Sequence, residues 1–209
     1  MKRNIAVIDY GLGNIRSVIN MLENIGANAI VALREEDIIN ADKYILPGVG
    51  AFNAGVRNIE AYGFREVLEE QVLKKGKMIL GICLGMQLMG ISSEEGSLKG
   101  FSWLAKRVVR FREKESVMNG LKIPHMGWNV VNEIKTHRIF SNIKHPMRFY
   151  FVHSYHMECE GADCEYGLTN YGYNFVSVVI QDNIIGVQFH PEKSHIFGMQ
   201  MIKNFWELK

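Results

Sequence analysis

An α/β fold with a mostly parallel central sheet, extended by further β-strands in its second half, is what this sequence predicts. Two observations lead there. Apolar runs of strand length alternate with 3.6-period amphipathic stretches through the first half of the chain. From Lys106 to Phe189, short β-like runs are separated instead by Gly, Asn and Asp turns. Strands that alternate with helices pair in parallel through crossovers and carry their chemistry at the strands' carboxyl ends. A length of 209 residues suits one α/β core, and no internal repeat or linker interrupts it, so residues 1–209 read as a single domain.

Each element has its own signal. Ile5 to Ile8 is a buried strand, and Gly11-Leu12-Gly13-Asn14 turns it into a helix. Ile15, Val18, Ile19, Leu22 and Ile25 share one face of that helix, and Gly26 stops it. A dinucleotide fingerprint would need glycine at position 16, where Arg16 stands, so the two glycines are read as a tight βα turn. Ile30-Val31 and Tyr44-Ile45-Leu46 continue the strands, Phe64 to Lys75 is a helix, and Lys77 to Leu80 is a strand leading into a helix at Leu84 to Met89. In the second half Val108-Val109, Arg148 to Val152, Phe175 to Ile180 and Ile184 to Val187 are strand-like, with Asp182-Asn183 as a hairpin turn. A last helix, His195 to Trp206, sets Met199, Ile202, Phe205 and Trp206 toward a core.

Composition narrows the function classes. With 24 basic and 22 acidic residues the net charge is +2, which offers no field for a nucleic acid or a membrane surface. The cysteines at Cys83, Cys159 and Cys164 make no disulfide framework, and Cys159 and Cys164 have no second pair with which to hold a metal. Lys2-Arg3 precede an apolar stretch that Asp9 breaks at once, too short for a signal core. Met78 to Ile91 is interrupted by Gly81, Gly85, Gln87 and Gly90 and falls short of a membrane span. A cytoplasmic protein is expected.

The chemistry is concentrated in three segments. Gly81-Ile82-Cys83-Leu84-Gly85 joins a strand to a helix, the arrangement in which small flanking residues let a strained turn expose the side chain between them. A thiol there has its thiolate stabilised by the helix N-terminus, and the Leu84 N–H points at an oxyanion formed on a substrate carbonyl. Alone, this pattern fits a buried structural cysteine equally well. His190-Pro191-Glu192 supplies what a nucleophile needs: residues two apart in an extended segment project together, giving a base and its orienting acid. Pro47-Gly48-Val49-Gly50 is a third such segment, a loop whose glycines admit close backbone approach and whose N–H can complete the oxyanion hole. His153 and His156 lack a Glu two places on and are read as structural or surface histidines.

These residues, together with Ile8-Asp9-Tyr10-Gly11-Leu12-Gly13-Asn14, Pro124-His125-Met126-Gly127-Trp128-Asn129, Phe151-Val152-His153-Ser154-Tyr155 and Gln188-Phe189-His190-Pro191-Glu192-Lys193-Ser194, make the chain resemble the class I (triad) glutamine amidotransferases end to end. The elbow and His-Pro-Glu are shared across that family. Pro-Gly-Val-Gly and His-Met-Gly-Trp-Asn are more specific and resemble the glutaminase subunits of histidine biosynthesis. The resemblance implies a three-layer, flavodoxin-like fold, L-glutamine as substrate and neither cofactor nor metal.

It also implies residue roles. Cys83 is the nucleophile, His190 the acid and base, and Glu192 its orienting acid. Gly48, Val49, Gly50, Leu84, Gln87, Ser154 and Tyr155 surround the glutamine. The ammonia passes to a separate (β/α)8-barrel cyclase, which makes imidazole glycerol phosphate and an aminoimidazole carboxamide ribotide, with Asn14, Trp128 and Lys193 at the heterodimer interface. An isolated chain is then expected to be nearly inactive until docking reshapes the loop at Val49. Leu88-Met89-Gly90-Ile91 and Gly100 to Lys106 depart from the family's habits, and a sugar amidotransferase is the alternative recipient of the ammonia. A redox-sensing relative without catalysis would lack His-Pro-Glu, a subunit that only activates its synthase would be indifferent to Cys83→Ala, and a thiol protease would carry a Cys-Gly-x-Cys-Trp segment absent here.

Overall fold

The structure, a computed structural model, describes residues 4–112, 120–158 and 165–209. Cys159 and Cys164, like Lys2-Arg3, lie outside the described residues. The first half follows the expected alternation: β1 (Asn4–Ile8), α1 (Ile15–Asn24), β2 (Asn28–Ala32), α2 (Glu35–Ile39), β3 (Lys43–Gly48), α3 (Phe52–Ala61), α4 (Phe64–Glu69), β4 (Met78–Cys83) and α5 (Leu84–Leu88). The second half is richer in strands: β5 (Ser92–Ser93), β6 (Arg107–Arg110), β7 (His125–Val130), β8 (Asn132–Glu133), β9 (Arg148–His153), β10 (Tyr155–Met157), β11 (Glu165–Tyr171), β12 (Tyr173–Gln181) and β13 (Ile184–Val187), before α6 (His195–Glu207).

The main sheet runs β2-β1-β3-β4-β13-β12-β10-β6-β5, with β11 beside β12 and β8 beside β11. From β2 to β13 every pairing is parallel, and β12 turns back antiparallel through the Asp182-Asn183 hairpin. β7 and β9 form a separate antiparallel pair. Side chains alternate across the sheet, so Ile5 and Val7 face one core with α1 and α6, while Ala6 and Ile8 face the other with α2 to α5. That makes three layers, helices covering both faces of a buried parallel sheet. Lys43 locks one layer to the sheet: its buried Nζ donates to the carbonyls of Phe205, Trp206 and Leu208 at 2.8, 3.0 and 2.6 Å, a cation on the open end of α6.

Two expectations need correction, and a third holds in part. The helix read as Phe64 to Lys75 is regular only to Glu69, then widens into a π turn over Glu70–Lys74 that buries Gln71 and Val72. In α6 the seam is Gly198, Met201, Ile202 and Phe205, spaced three and four apart, while Met199 and Trp206 are half-buried at its margin. Phe197, Met199 and Trp206 widen its apolar side beyond that seam, so periodicity alone does not single the seam out. β7, β8, β10 and β11 stand where no strand was expected. In the departing segment Gly100 to Lys106, Phe101 stacks near Trp103 at 4.5 Å and carries the Arg65 guanidinium over its ring. Among the described residues no helix is long and apolar enough to cross a membrane.

Candidate active site

Parallel register brings three strand ends together. Gly48 of β3 pairs with Cys83 of β4, and Ile82 of β4 pairs with Val187 of β13. With strands about 4.8 Å apart, the loop Pro47 to Gly50, Cys83 and the segment Gln188 to His190 emerge side by side. Cys83 ends its strand at φ 53°, ψ −109°, a backbone conformation that costs a non-glycine residue on the order of 1–3 kcal/mol. The flanking glycines are required by space. A Cβ on Gly85 would overlap the Leu46 carbonyl oxygen, and one on Gly81 would sit 2.8 Å from the Met86 nitrogen. As the first residue of α5, Leu84 has an N–H without an intrahelical acceptor.

His190 is fixed from several sides. Its N–H donates to the Tyr150 carbonyl at 2.8 Å, and its own carbonyl accepts the Ser194 hydroxyl at 2.6 Å. Nδ1 lies 2.8 Å from Glu192 Oε1, with the two side chains 1% and 3% exposed. With Nδ1 so engaged, the buried Nε2 is left to the Cys83 side chain, the nitrogen available for proton exchange. Burial pushes the imidazole down, but the Cys83 sulfur and the Glu192 carboxylate outweigh it and raise His190 to about 10. The arrangement favours a protonated imidazole beside sulfur, the state a cysteine nucleophile requires.

A cavity of about 220 Å³ opens over the sulfur, and Cys83, His190, Val49, Gly50, Leu84, Gln87, Ser154 and Tyr155 all line it. Gly48 instead sits beneath, packed where a Cβ would meet Leu84 and Gly85. Gln87 donates from Nε2 to the Tyr155 carbonyl at 3.0 Å and to Gln188 Oε1 at 3.1 Å. Both amide hydrogens are thereby used, so Gln87 presents Oε1, an acceptor, to a ligand. Gln188 Nε2 in turn lies 3.6 Å from the Cys83 sulfur.

Three lining or supporting residues escaped the sequence reading. Gln188 is fully buried against the thiol, and His153 lines the cavity with Nδ1 2.8 Å from the Tyr155 carbonyl, whereas His156 is a buried structural histidine as expected. Glu95 also lines the cavity while its Oε2 accepts the Phe52 N–H at 2.8 Å, at the start of α3. Its only signal in the sequence is a Ser-Ser-Glu-Glu stretch that reads as solvated surface. Asn14, Trp128 and Lys193 lie outside the cavity. Asn14 precedes α1 and makes no side-chain capping bond, its carbonyl accepting the Val18 N–H, while Trp128 stacks on His195 at 5.5 Å and Lys193 Nζ sits 5.7 Å over the Tyr150 ring. A larger groove of about 610 Å³ runs between α1 and α6 past Glu192, Lys193 and His195, and Cys83 is not in its lining. Among the described residues, no group of three His, Cys, Asp or Glu is placed to hold a metal.

The sequence model of the class I glutamine amidotransferases matches residues 6–208. This chain belongs to that family. Full-length relatives are similar to it throughout. The imidazole glycerol phosphate synthase subunit HisH 2 of Pseudomonas aeruginosa is 50% identical over 98% of this chain and 99% of its own length. The subunit of the same name from Methanococcus maripaludis is 46% identical over 96% and 98%, and HisH of Bdellovibrio bacteriovorus 43% over 98% and 100%. Among solved structures, one titled glutamine amidotransferase aligns at TM-score 0.72 and 15% identity over 97% of both chains, and PurLQS of Thermotoga maritima at 0.70 and 16% over 98% of both. At those identities the likeness is one of fold, and it is the fold expected for a class I amidotransferase.

Proposed function

We propose that this amidotransferase is the glutaminase subunit of an imidazole glycerol phosphate synthase, hydrolysing L-glutamine and passing the ammonia to a cyclase subunit. One observation carries the chemistry: Cys83, His190 and Glu192 converge at adjacent parallel strand ends under a small cavity. The names of the relatives carry the pathway, histidine biosynthesis.

The Cys83 sulfur attacks the carboxamide carbon, and the oxyanion is received by the Leu84 N–H and a donor from the Val49 region. His190 Nε2 gives its proton to the departing ammonia. It then takes one from the water that hydrolyses the glutamyl thioester, while Glu192 keeps Nδ1–H oriented. Glutamine offers an α-ammonium, which suits the Glu95 carboxylate and the acceptor face of Gln87. Gly50, Ser154 and Tyr155 complete the backbone wall, and Gly48 shapes the loop from below.

Free ammonia at neutral pH becomes ammonium and ceases to be a nucleophile, so the recipient must dock over the site. The partner is a (β/α)8-barrel cyclase, and Asn14, Trp128 and Lys193 lie in the contact. Docking turns the loop at Val49 into its donating form. A nucleophilic thiol must stay reduced, which suits work in the cytoplasm.

The test is glutamate release from glutamine by the chain alone and with a histidine-pathway cyclase plus its nucleotide ligand, with Cys83→Ala as control. A large, Cys83-dependent rise on adding the cyclase is expected. Equal turnover without the cyclase defeats the switching step, and a glutaminase indifferent to this cyclase belongs to another synthase.

A further inference from the structure

Behind the cavity wall, His125 Nδ1 lies 3.1 Å from His153 Nε2, and both rings are buried. The direction of every hydrogen bond around this pair can be assigned. Asn129 Oδ1 accepts the Val130 N–H at 2.7 Å, and its Nδ2 donates to the Asn170 carbonyl at 2.9 Å, so the amide has one orientation. The same Nδ2 is 3.1 Å from His125 Nε2, which must therefore accept. His125 is then protonated on Nδ1 and donates to His153 Nε2. His153 is protonated on Nδ1 and donates to the Tyr155 carbonyl at 2.8 Å. Burial pushes His125 down to about 4 and His153 well below its ordinary value, so both rings stay neutral as the relay requires.

The Tyr155 carbonyl thus accepts from two sides, His153 Nδ1–H and Gln87 Nε2–H, and both lone pairs are occupied. It is unavailable to a substrate and acts as an anchor. We propose that His125 and His153 are positioning residues of the glutaminase, holding the Tyr155 carbonyl so that Gln87 turns its amide oxygen toward the glutamine. This rests on the glutaminase reading and adds two residues to it that touch no reacting atom.

The anchor serves the substrate wall, whereas the thiol keeps His190 and Glu192, so loss of the relay must appear in KM rather than kcat. His125→Phe keeps a ring but removes both nitrogens. His125→Asn retains a donor where Nδ1–H stood. Assayed with the cyclase present, His125→Phe is expected to raise KM for glutamine about tenfold, the worth of one charge-free hydrogen-bond anchor. The same variant should leave kcat and the rate of Cys83 alkylation by iodoacetamide within about threefold, and His125→Asn should recover most of the KM.

A merely structural His125 would lower kcat and alkylation together with melting temperature, and Asn would not rescue. Either that pattern or an unchanged KM overturns the proposal. Should His125→Phe fail to fold, Asn129→Ala, which frees His125 to reverse its proton, must raise KM about threefold, and an unchanged KM there overturns it equally. Absence of any Cys83-dependent turnover in the unsubstituted protein overturns the glutaminase reading and this proposal with it. Wild-type turnover with unaltered variants overturns the proposal alone.

Discussion

Glu192 Oε1 sits 2.8 Å from His190 Nδ1, with both side chains sealed from solvent. The Cys83 sulfur and, after it, this pairing outweigh burial and hold a proton on His190 up to about pH 10, against an ordinary value of 6.5. A raised folded-state value means that the native chain holds a proton the unfolded chain has released. The stability gained is complete below pH 6.5 and is lost as pH climbs toward 10. Glu192→Gln removes one cause of the rise, so its melting temperature should fall less steeply between those limits. Its glutamine turnover should drop at least about a hundredfold, because the base loses its orienting charge. An unchanged alkaline slope would mean that Glu192 contributes nothing to the protonated imidazole.

The acid side has the opposite sign. His125 and His156 are pushed by burial to about 4, so the unfolded chain takes up protons that the native chain refuses. Their contribution is present above pH 6.5 and lost as pH falls toward 4. Thermal melts across that window should show a steep decline. His125→Asn should flatten it by on the order of 2–3 kcal/mol, the linkage value of one histidine. Identical acid slopes would show that His125 is not held neutral.

Two glycines separate space from backbone conformation. A methyl group on Gly85 would overlap the Leu46 carbonyl oxygen, so α5 cannot lie this close to β3. Gly85→Ala should cost about 2–3 kcal/mol or more and abolish Cys83 alkylation by moving the elbow. Gly26 after α1 has φ +76° with nothing within 4 Å, so Gly26→Ala should cost only about 1–2 kcal/mol and leave alkylation intact. Equal losses of reactivity would argue against the packing account.

How much of this was legible in the chain depends on distance along it. Cys83 and the His190–Glu192 pair announce themselves because local geometry, a turn or an extended tripeptide, fixes their presentation. The apolar run Ile5 to Ile8 and the stop at Gly26 are local in the same sense. Gln188, His153 and Glu95 reach the site through pairings between strands far apart in sequence, and no local pattern encodes those. β7 was invisible as a strand because Gly127 adopts φ +131° within a run poor in β-branched residues. α2 is five residues of Glu-Glu-Asp-Ile-Ile, too short for a periodic signal. In α6 the four expected residues all pack on the core, but which of them are fully buried is not legible, because Met199 and Trp206 are as apolar as Ile202 and Phe205.

Glu95 allows charge to be tested apart from architecture. Its Oε2 accepts the Phe52 N–H at 2.8 Å and so supports α3, while the carboxylate lines the cavity beside Gly50 and Gln87. Glu95→Gln keeps an oxygen for the Phe52 N–H and removes only the charge. If that charge receives the α-ammonium of glutamine, KM should rise about ten- to a hundredfold, the worth of one charge-assisted hydrogen bond. Melting temperature and iodoacetamide alkylation of Cys83 should stay near wild type, because neither the fold nor the sulfur sees the change. Glu95→Ala should add a stability loss of about 1 kcal/mol by leaving the Phe52 N–H without its acceptor. A Glu95→Gln enzyme with wild-type KM would assign the carboxylate to supporting α3 alone and leave the α-ammonium to Gln87 and the backbone wall.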